Sequence, residues 1–148
     1  MSFEIDMKRL AASTALMKAA RRWRCLSKRC LKSLPITEAC AEPLLLVKNL
    51  GQPVHQATLA QMAGLTVPAL SRLLDQLVQG RLIARLSYPG DRRANWVRLT
   101  EEGLAVASAA EARLAELRAR ALAKVPDGDL DTTVRVLQAF FNAERGPA

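Results

Sequence analysis

The chain has 148 residues, half of them hydrophobic, and a formal net charge of +8. That is apolar material enough for one buried core. No run of eighteen apolar residues is present to span a membrane, and the start MSFEIDMKRL lacks the apolar stretch of a secretion signal, so the expected address is cytoplasmic.

The charge is unevenly placed. Residues 1–35 hold nine Lys/Arg against two Asp/Glu, a net +7, and residues 56–100 hold six against two, a net +4, whereas residues 101–148 carry −2. Clustered positive charge favours a polyanionic partner. Cys25, Cys30 and Cys40 show no CxxC spacing and His55 is the only histidine. A zinc site or disulfide framework is not expected, and no metal or cofactor is assigned. One histidine, no Gly-rich phosphate loop and no paired acids argue against an enzyme.

Residues 7–33 read as one long helix, with Leu16, Ala20, Trp23, Ser27, Cys30 and Leu34 on one stripe at spacings of three and four. Leu34-Pro35 ends it, because proline disfavours helical geometry in the residue before it. Thr37 is placed to cap a second helix that tolerates Pro43 only in or near its first turn, and Gly51-Gln52-Pro53 stops it. Residues 56–63 form a short helix, Gly64 a turn, and Val67–Gln79 a further helix with Gly80 at its C-cap. The period then falls to two: Leu82–Tyr88 and Asn95–Leu99 read as paired strands joined by a loop over Pro89–Ala94. Thr100 caps a long helix running to about Lys124. Pro126-Asp127-Gly128 breaks it, and a last helix carries Leu130, Val134, Leu137 and Phe141 on one stripe.

Residues 56–79 have the spacing of a helix-turn-helix. Ala60 is small enough for two helices to meet, Gly64 permits the positive φ of a tight turn, and Leu59, Leu65, Leu70, Leu73 and Leu74 supply a shared core. Thr66 is placed to cap the second helix, and Pro68 costs little in its first turn. The groove-facing candidates are Thr66, Val67, Pro68, Ala69, Ser71, Arg72 and Gln76, on a helix that fits the major groove of B-DNA. The hairpin that follows, tipped by Asp91, Arg92 and Arg93, reads as a wing. Arginine suits the negative potential of a narrow minor groove.

The string Asp91-Arg92-Arg93-Ala94-Asn95-Trp96-Val97-Arg98-Leu99-Thr100-Glu101-Glu102-Gly103 resembles the signature D-x-R-x-x-x-V-x-L-T-x-x-G of the multiple-antibiotic-resistance regulator (MarR) family. The stretch Leu65–Leu77 resembles that family's recognition helix, and the likeness covers about residues 36–104. The resemblance implies a mainly α fold with a small β-hairpin, a winged helix-turn-helix lobe over residues 36–103, and dimerisation helices over residues 1–35 and 104–148. It implies a homodimer that binds double-stranded DNA as a transcription regulator, most often a repressor, on an inverted-repeat operator. Arg93 would enter the minor groove, with Asp91 orienting it or pairing with Arg72. It further implies release by a small anionic or aromatic effector, for which Arg21, Trp23 and Arg24 are the candidate contacts, or by thiol oxidation. Pro43 and the strongly basic first helix depart from the family's usual pattern.

Two other readings stand beside this one. One is a winged-helix module that binds protein, which would need no basic recognition face. The other is an oxidation-responsive regulator acting through Cys25, which lies among Arg22, Arg24, Lys28 and Arg29, the electropositive setting that activates thiols. Cys30, on the apolar stripe with Trp23, reads as packing, and His55 as a surface or capping residue.

Overall fold

The computed structural model describes residues 2–51 and 53–143; within β3, defined below, the side chains of Asp91, Arg92 and Ala94 lie outside what it describes. The elements in chain order are α1 (Ser2–Cys30), α2 (Glu38–Asn49), β1 (Val54–His55), α3 (Gln56–Ala63), α4 (Val67–Gln79), β2 (Ile83–Tyr88), β3 (Asp91–Leu99), α5 (Glu101–Ala121) and α6 (Asp127–Phe141). The strands form one antiparallel sheet in the order β1-β3-β2. This is the mainly helical winged helix-turn-helix expected. No helix among the described residues is long and apolar enough to cross a membrane.

Compactness divides the chain into Met1–Leu117 and Arg118–Ala148. The first unit holds two apolar clusters. In the larger, Leu44, Val47, Leu59, Leu70, Leu74, Leu77, Leu82 and Val97 interlock from α2, α3, α4 and the sheet, with Val106 and Ala107 of α5 closing it. In the smaller, Leu31, Ala41, Ala110, Leu114 and Leu117 pack with Trp23, Leu26, Cys30 and Leu34. Of the stripe read from Leu16 to Leu34, Trp23, Ser27 and Cys30 face the lobe and Leu34 joins them beyond the end of α1, whereas Ala20 is exposed and Leu16 lies outside this cluster. Lys48 and Asn49 both reach Glu111, and Arg113 donates to Ser33 Oγ and to the Cys30 carbonyl at 3.5 Å, tying α5 to α1 and α2. The second unit contains α6, whose Val134 and Phe141 are each 63% exposed.

Several boundaries differ from expectation for local reasons. α1 starts at Ser2 and gives way to turns after Cys30. Thr37 precedes α2 but its side chain makes no cap hydrogen bond, and Pro43 lies in the second turn, buried. A missing N–H there leaves the carbonyl four residues back without its helical partner, a cost offset by burial of the ring. The loop expected over Pro89–Ala94 shrinks to Pro89-Gly90. Gly90 adopts φ +94°, which closes a tight turn, and Tyr88 pairs directly with Asp91. Strand β1 has only two residues, Val54 and His55, paired with Val97 and Trp96, too short to give a period. α5 ends at Ala121 and turns through Lys124.

At the end of α4 the chain makes a Schellman turn. The Leu82 N–H donates to the Leu77 carbonyl and the Arg81 N–H to the Val78 carbonyl, each at 3.0 Å. Gly80 holds the C-cap in right-handed geometry, so the left-handed position falls on Arg81, at φ +59°, which costs a non-glycine residue about 1 kcal/mol. The strain is held from outside: Thr100 Oγ1 donates to the Arg81 carbonyl at 2.7 Å and accepts the Gly103 N–H at 2.9 Å, and the Thr100 N–H donates to the Leu82 carbonyl at 3.0 Å.

Two outcomes follow from this packing. A Cβ at Gly103 would stand 1.8 Å from the Leu82 carbonyl oxygen, a backbone atom that cannot swing away. Gly103→Ala is expected to cost about 3 kcal/mol or more, read as a shift in denaturation midpoint at unchanged slope. Secondly, the Glu42 carboxyl is pushed above its ordinary 4.5 by partial desolvation and then by the charge of Glu38 one turn away. A raised folded-state value means that stability falls as pH climbs through the window beginning at 4.5. Glu42→Gln is expected to raise the melting temperature at pH 7 and to lose that advantage below pH 4.5; an advantage that persists in acid would contradict it.

Candidate nucleic-acid interface

α3 and α4 meet at a left-handed glycine. Gly64, at φ +65°, closes α3 while the Leu65 N–H reaches the Ala60 carbonyl at 2.9 Å. α3 is capped by His55, whose Nδ1 accepts the Ala57 N–H at 3.1 Å. α4 is capped as the sequence implied: Thr66 Oγ1 accepts the Ala69 N–H at 3.3 Å, with Pro68 in the first turn. Leu70, Leu74 and Leu77 are buried, so the opposite side of α4 is presented outward at 100° per residue.

Of the groove-facing candidates, Thr66, Val67, Pro68, Arg72 and Gln76 are exposed, and Ala69 and Ser71 are half-buried. Gln76 also faces inward through its amide, since the Cys40 thiol lies 3.4 Å from its Oε1. Asp75 and Gln79 share the outward side, though the sequence reading passed over both. Arg93 is exposed on β3, three residues beyond the wing turn. The expected partnership of Asp91 with Arg93 or Arg72, and the role of Arg92, fall on side chains outside the described set.

What the structure adds is a strut between wing and helix. Arg85 on β2 donates to Asp75 Oδ1 at 2.5 Å, to the Ser71 carbonyl at 3.5 Å and to Gln56 Oε1 at 3.4 Å. One guanidinium thus joins the sheet to the middle of α4 and to the first residue of α3. Arg85 stands opposite Val97, and Ile83 opposite Leu99, on the inward row of the hairpin. A cation at an inward position of a strand needs an anion nearby. That need was the available signal for Asp75. On the sheet's other side, Trp96 packs edge-on against His55 and Tyr88, with ring centroids 5.1 and 5.3 Å away, stiffening the base of the wing.

The three effector candidates are not brought together on one surface. Trp23 packs into the smaller core, whereas Arg21 and Arg24 are exposed. Cys25 is exposed, Cys30 half-buried and Cys40 buried, and no trio of metal-ligating side chains gathers among the described residues. A cavity of about 380 Å³ lies between the α1–α2 connection and α4, lined by Leu34, Ile36, Cys40, Gln76, Leu77 and Leu82 among others, none of them charged.

Residues 44–94 match the model of the MarR family. Over the whole fold the chain is similar to the transcriptional regulator PA3341, at 29% identity and a TM-score of 0.77, covering 91% of this chain and 98% of that one. It is also similar to a mutant MarR from E. coli in complex with operator DNA (21% identity, TM-score 0.78, 90% and 95% covered). A third similar structure is CouR from Rhodococcus jostii RHA1 bound to p-coumaroyl-CoA (24%, 0.76, 86% and 89%).

Loss of the strut should loosen the wing against α4 without unfolding the lobe. Arg85→Ala is expected to lower stability by about 1 kcal/mol, as a half-exposed charged hydrogen bond does, and to raise amide exchange in β2 and at the start of β3. Unaltered exchange across the hairpin would show that Arg85 positions nothing.

Proposed function

We propose that this chain is a winged helix-turn-helix regulator of the MarR family, a reading supported by the match over residues 44–94 and by the likeness to PA3341, and that it acts as a homodimeric repressor binding double-stranded DNA at an inverted-repeat operator. The observation that carries the reading is the joint presentation of α4 and the wing. A capped helix offers Val67, Pro68 and Arg72 outward, an exposed arginine stands near the hairpin tip, and Arg85 joins one to the other. A helix of this kind reads base edges in the major groove, while an arginine-bearing hairpin reaches the adjoining minor groove.

The dimer is supported by uncovered apolar faces. On α1, Phe3, Met7, Leu10 and Met17 are exposed at spacings of four, three and seven; on α6, Val134, Leu137 and Phe141 are exposed at spacings of three and four. Helical stripes of this kind are ordinarily buried against another chain. A two-fold dimer would present two copies of α4 about one helical turn apart, about 10 bp, and hence favour an inverted repeat. The first helix's apolar stripe also favours this reading over a monomeric protein-binding module.

We propose that a small-molecule effector binds in the cavity beside Gln76. Its uncharged lining favours a neutral, mostly apolar compound with one hydrogen-bonding group over an anionic one. Occupation would displace the Gln76 amide from Cys40 and shift α4, so that effector and operator affinities oppose each other by the same factor.

Arg72→Ala and Arg93→Ala are each expected to weaken operator binding by about tenfold to a hundredfold, the cost of about 1–3 kcal/mol for a lost base or groove contact, with dimer mass unchanged in sedimentation. If both variants bound like the parent, α4 and the wing would not be the reading surfaces.

A further inference from the structure

The seven-residue pattern that sets Phe3, Met7, Leu10 and Met17 on one face of α1 continues toward the C-terminus, but its chemistry changes. From residue 18 onward Arg21, Arg24 and Lys28 take the positions of that pattern, and Lys18, Arg22 and Arg29 flank them on one side; all six are exposed. At 100° and 1.5 Å per residue this makes a broad cationic band, or ridge, about 16 Å long, on the side away from Trp23, Ser27 and Cys30, which face the lobe. Residues 7–37 contain no Asp or Glu, so no acidic side chain of the helix lies within reach of these cations. Among the described residues α1 forms an ion pair between Lys8 and Glu4, nearly three turns before Lys18. Like charges three and four residues apart each cost the helix about 0.2–0.5 kcal/mol, so the folded chain carries a self-repulsion that an anionic partner would relieve.

We infer that this ridge is a second, sequence-independent contact surface for the phosphate backbone of double-stranded DNA, apart from the α4 and wing surfaces. The inference rests on the duplex-binding reading above. Three observations select duplex phosphate. The ridge carries no aromatic side chain, and its nearest, Trp23, is turned into the core; single-stranded nucleic acid is held by stacking on such rings. The face of this half of α1 around Ser27 is occupied by its own lobe, and the apolar stripe of the first half is assigned to the proposed dimer contact, so no apolar face remains for a bilayer. A second copy laid ridge on ridge would be repelled, which separates this half of the face from the apolar half before it.

The test uses a 40-bp duplex of mixed sequence as the probe, with affinity measured against salt concentration. Each phosphate contact contributes about 0.9 to the slope of log K against log salt. The fourfold variant Lys18→Gln, Arg22→Gln, Lys28→Gln, Arg29→Gln is expected to flatten that slope by about 3 to 4 per engaged protomer. It should bind at least tenfold more weakly at low salt and melt no lower than the parent. The charge-preserving exchange Lys18→Arg, Arg22→Lys, Lys28→Arg, Arg29→Lys should keep the parent's slope. A variant with the parent's slope overturns the inference. So does a variant that falls apart into monomers, because the ridge would then be a subunit contact. A parent that binds no duplex at all brings down the duplex-binding reading itself, a result distinct from a parent that binds and a variant that binds equally well.

Discussion

The close approach of α5 to the end of α4 holds the recognition apparatus together. Gly103 lies so near the Leu82 backbone that no side chain fits between them. Thr100 uses both functions of its hydroxyl there: it accepts the Gly103 N–H as a helix cap and donates to the Arg81 carbonyl. Leu99, just before it, is 5% exposed in the main core. The string Leu99-Thr100-Glu101-Glu102-Gly103 therefore has a mechanical meaning. Leucine anchors the third strand, threonine caps the long helix and ties it to the preceding turn, and glycine removes the Cβ that would keep the helix away. The first-turn acids Glu101 and Glu102 add favourable charge at the positive end of that helix.

That clasp fixes the root of the wing, and Arg85 fixes its pitch. Its partners come from the α3 side chain Gln56, the α4 side chain Asp75 and the α4 backbone at Ser71, so one guanidinium links the hairpin to both helices. The buried Gln56 side chain, 8% exposed, gives Arg85 a neutral second acceptor, so the guanidinium is held even though Asp75 stands largely in solvent. Tight coupling of this kind is what a regulator needs if a small movement is to change the fit to two grooves at once. The cavity beside Gln76 touches the same helix from the other side, through a cysteine thiol and an amide in place of charges.

The first helix divides its labour along its length. One of its sides is committed to the lobe near its C-terminal end. The other is apolar over its first four turns and cationic over the next three. Association between identical chains and attraction of a polyanion make opposite demands on surface chemistry, since the first needs dry contact and the second needs solvated charge. Set in sequence on one helix, the two proposed surfaces would serve both without a linker. Under the proposed backbone contact, the positive charge of residues 1–35, larger than that of the winged segment itself, would become part of how the protein meets DNA.

Much of this was legible in the chain. Helix positions followed from apolar spacing, the tight turn from Gly64, the caps from Thr66 and Thr100, and the hairpin from a change of period, because each depends on residues within a few positions of one another. Pro43 shows the limit of such local rules: it stands in the second turn of a helix because burial outweighs one lost hydrogen bond. The two-residue strand β1, the left-handed Arg81, the Arg85–Asp75 strut and the contact of Gly103 with Leu82 were decided by tertiary structure alone. Each joins groups ten or more residues apart or depends on support from a distant element, and no periodicity records that. The sequence by itself determined which segments are helix, turn and hairpin and which of them are charged; only packing decided which side of each segment meets the core and which is left for a partner.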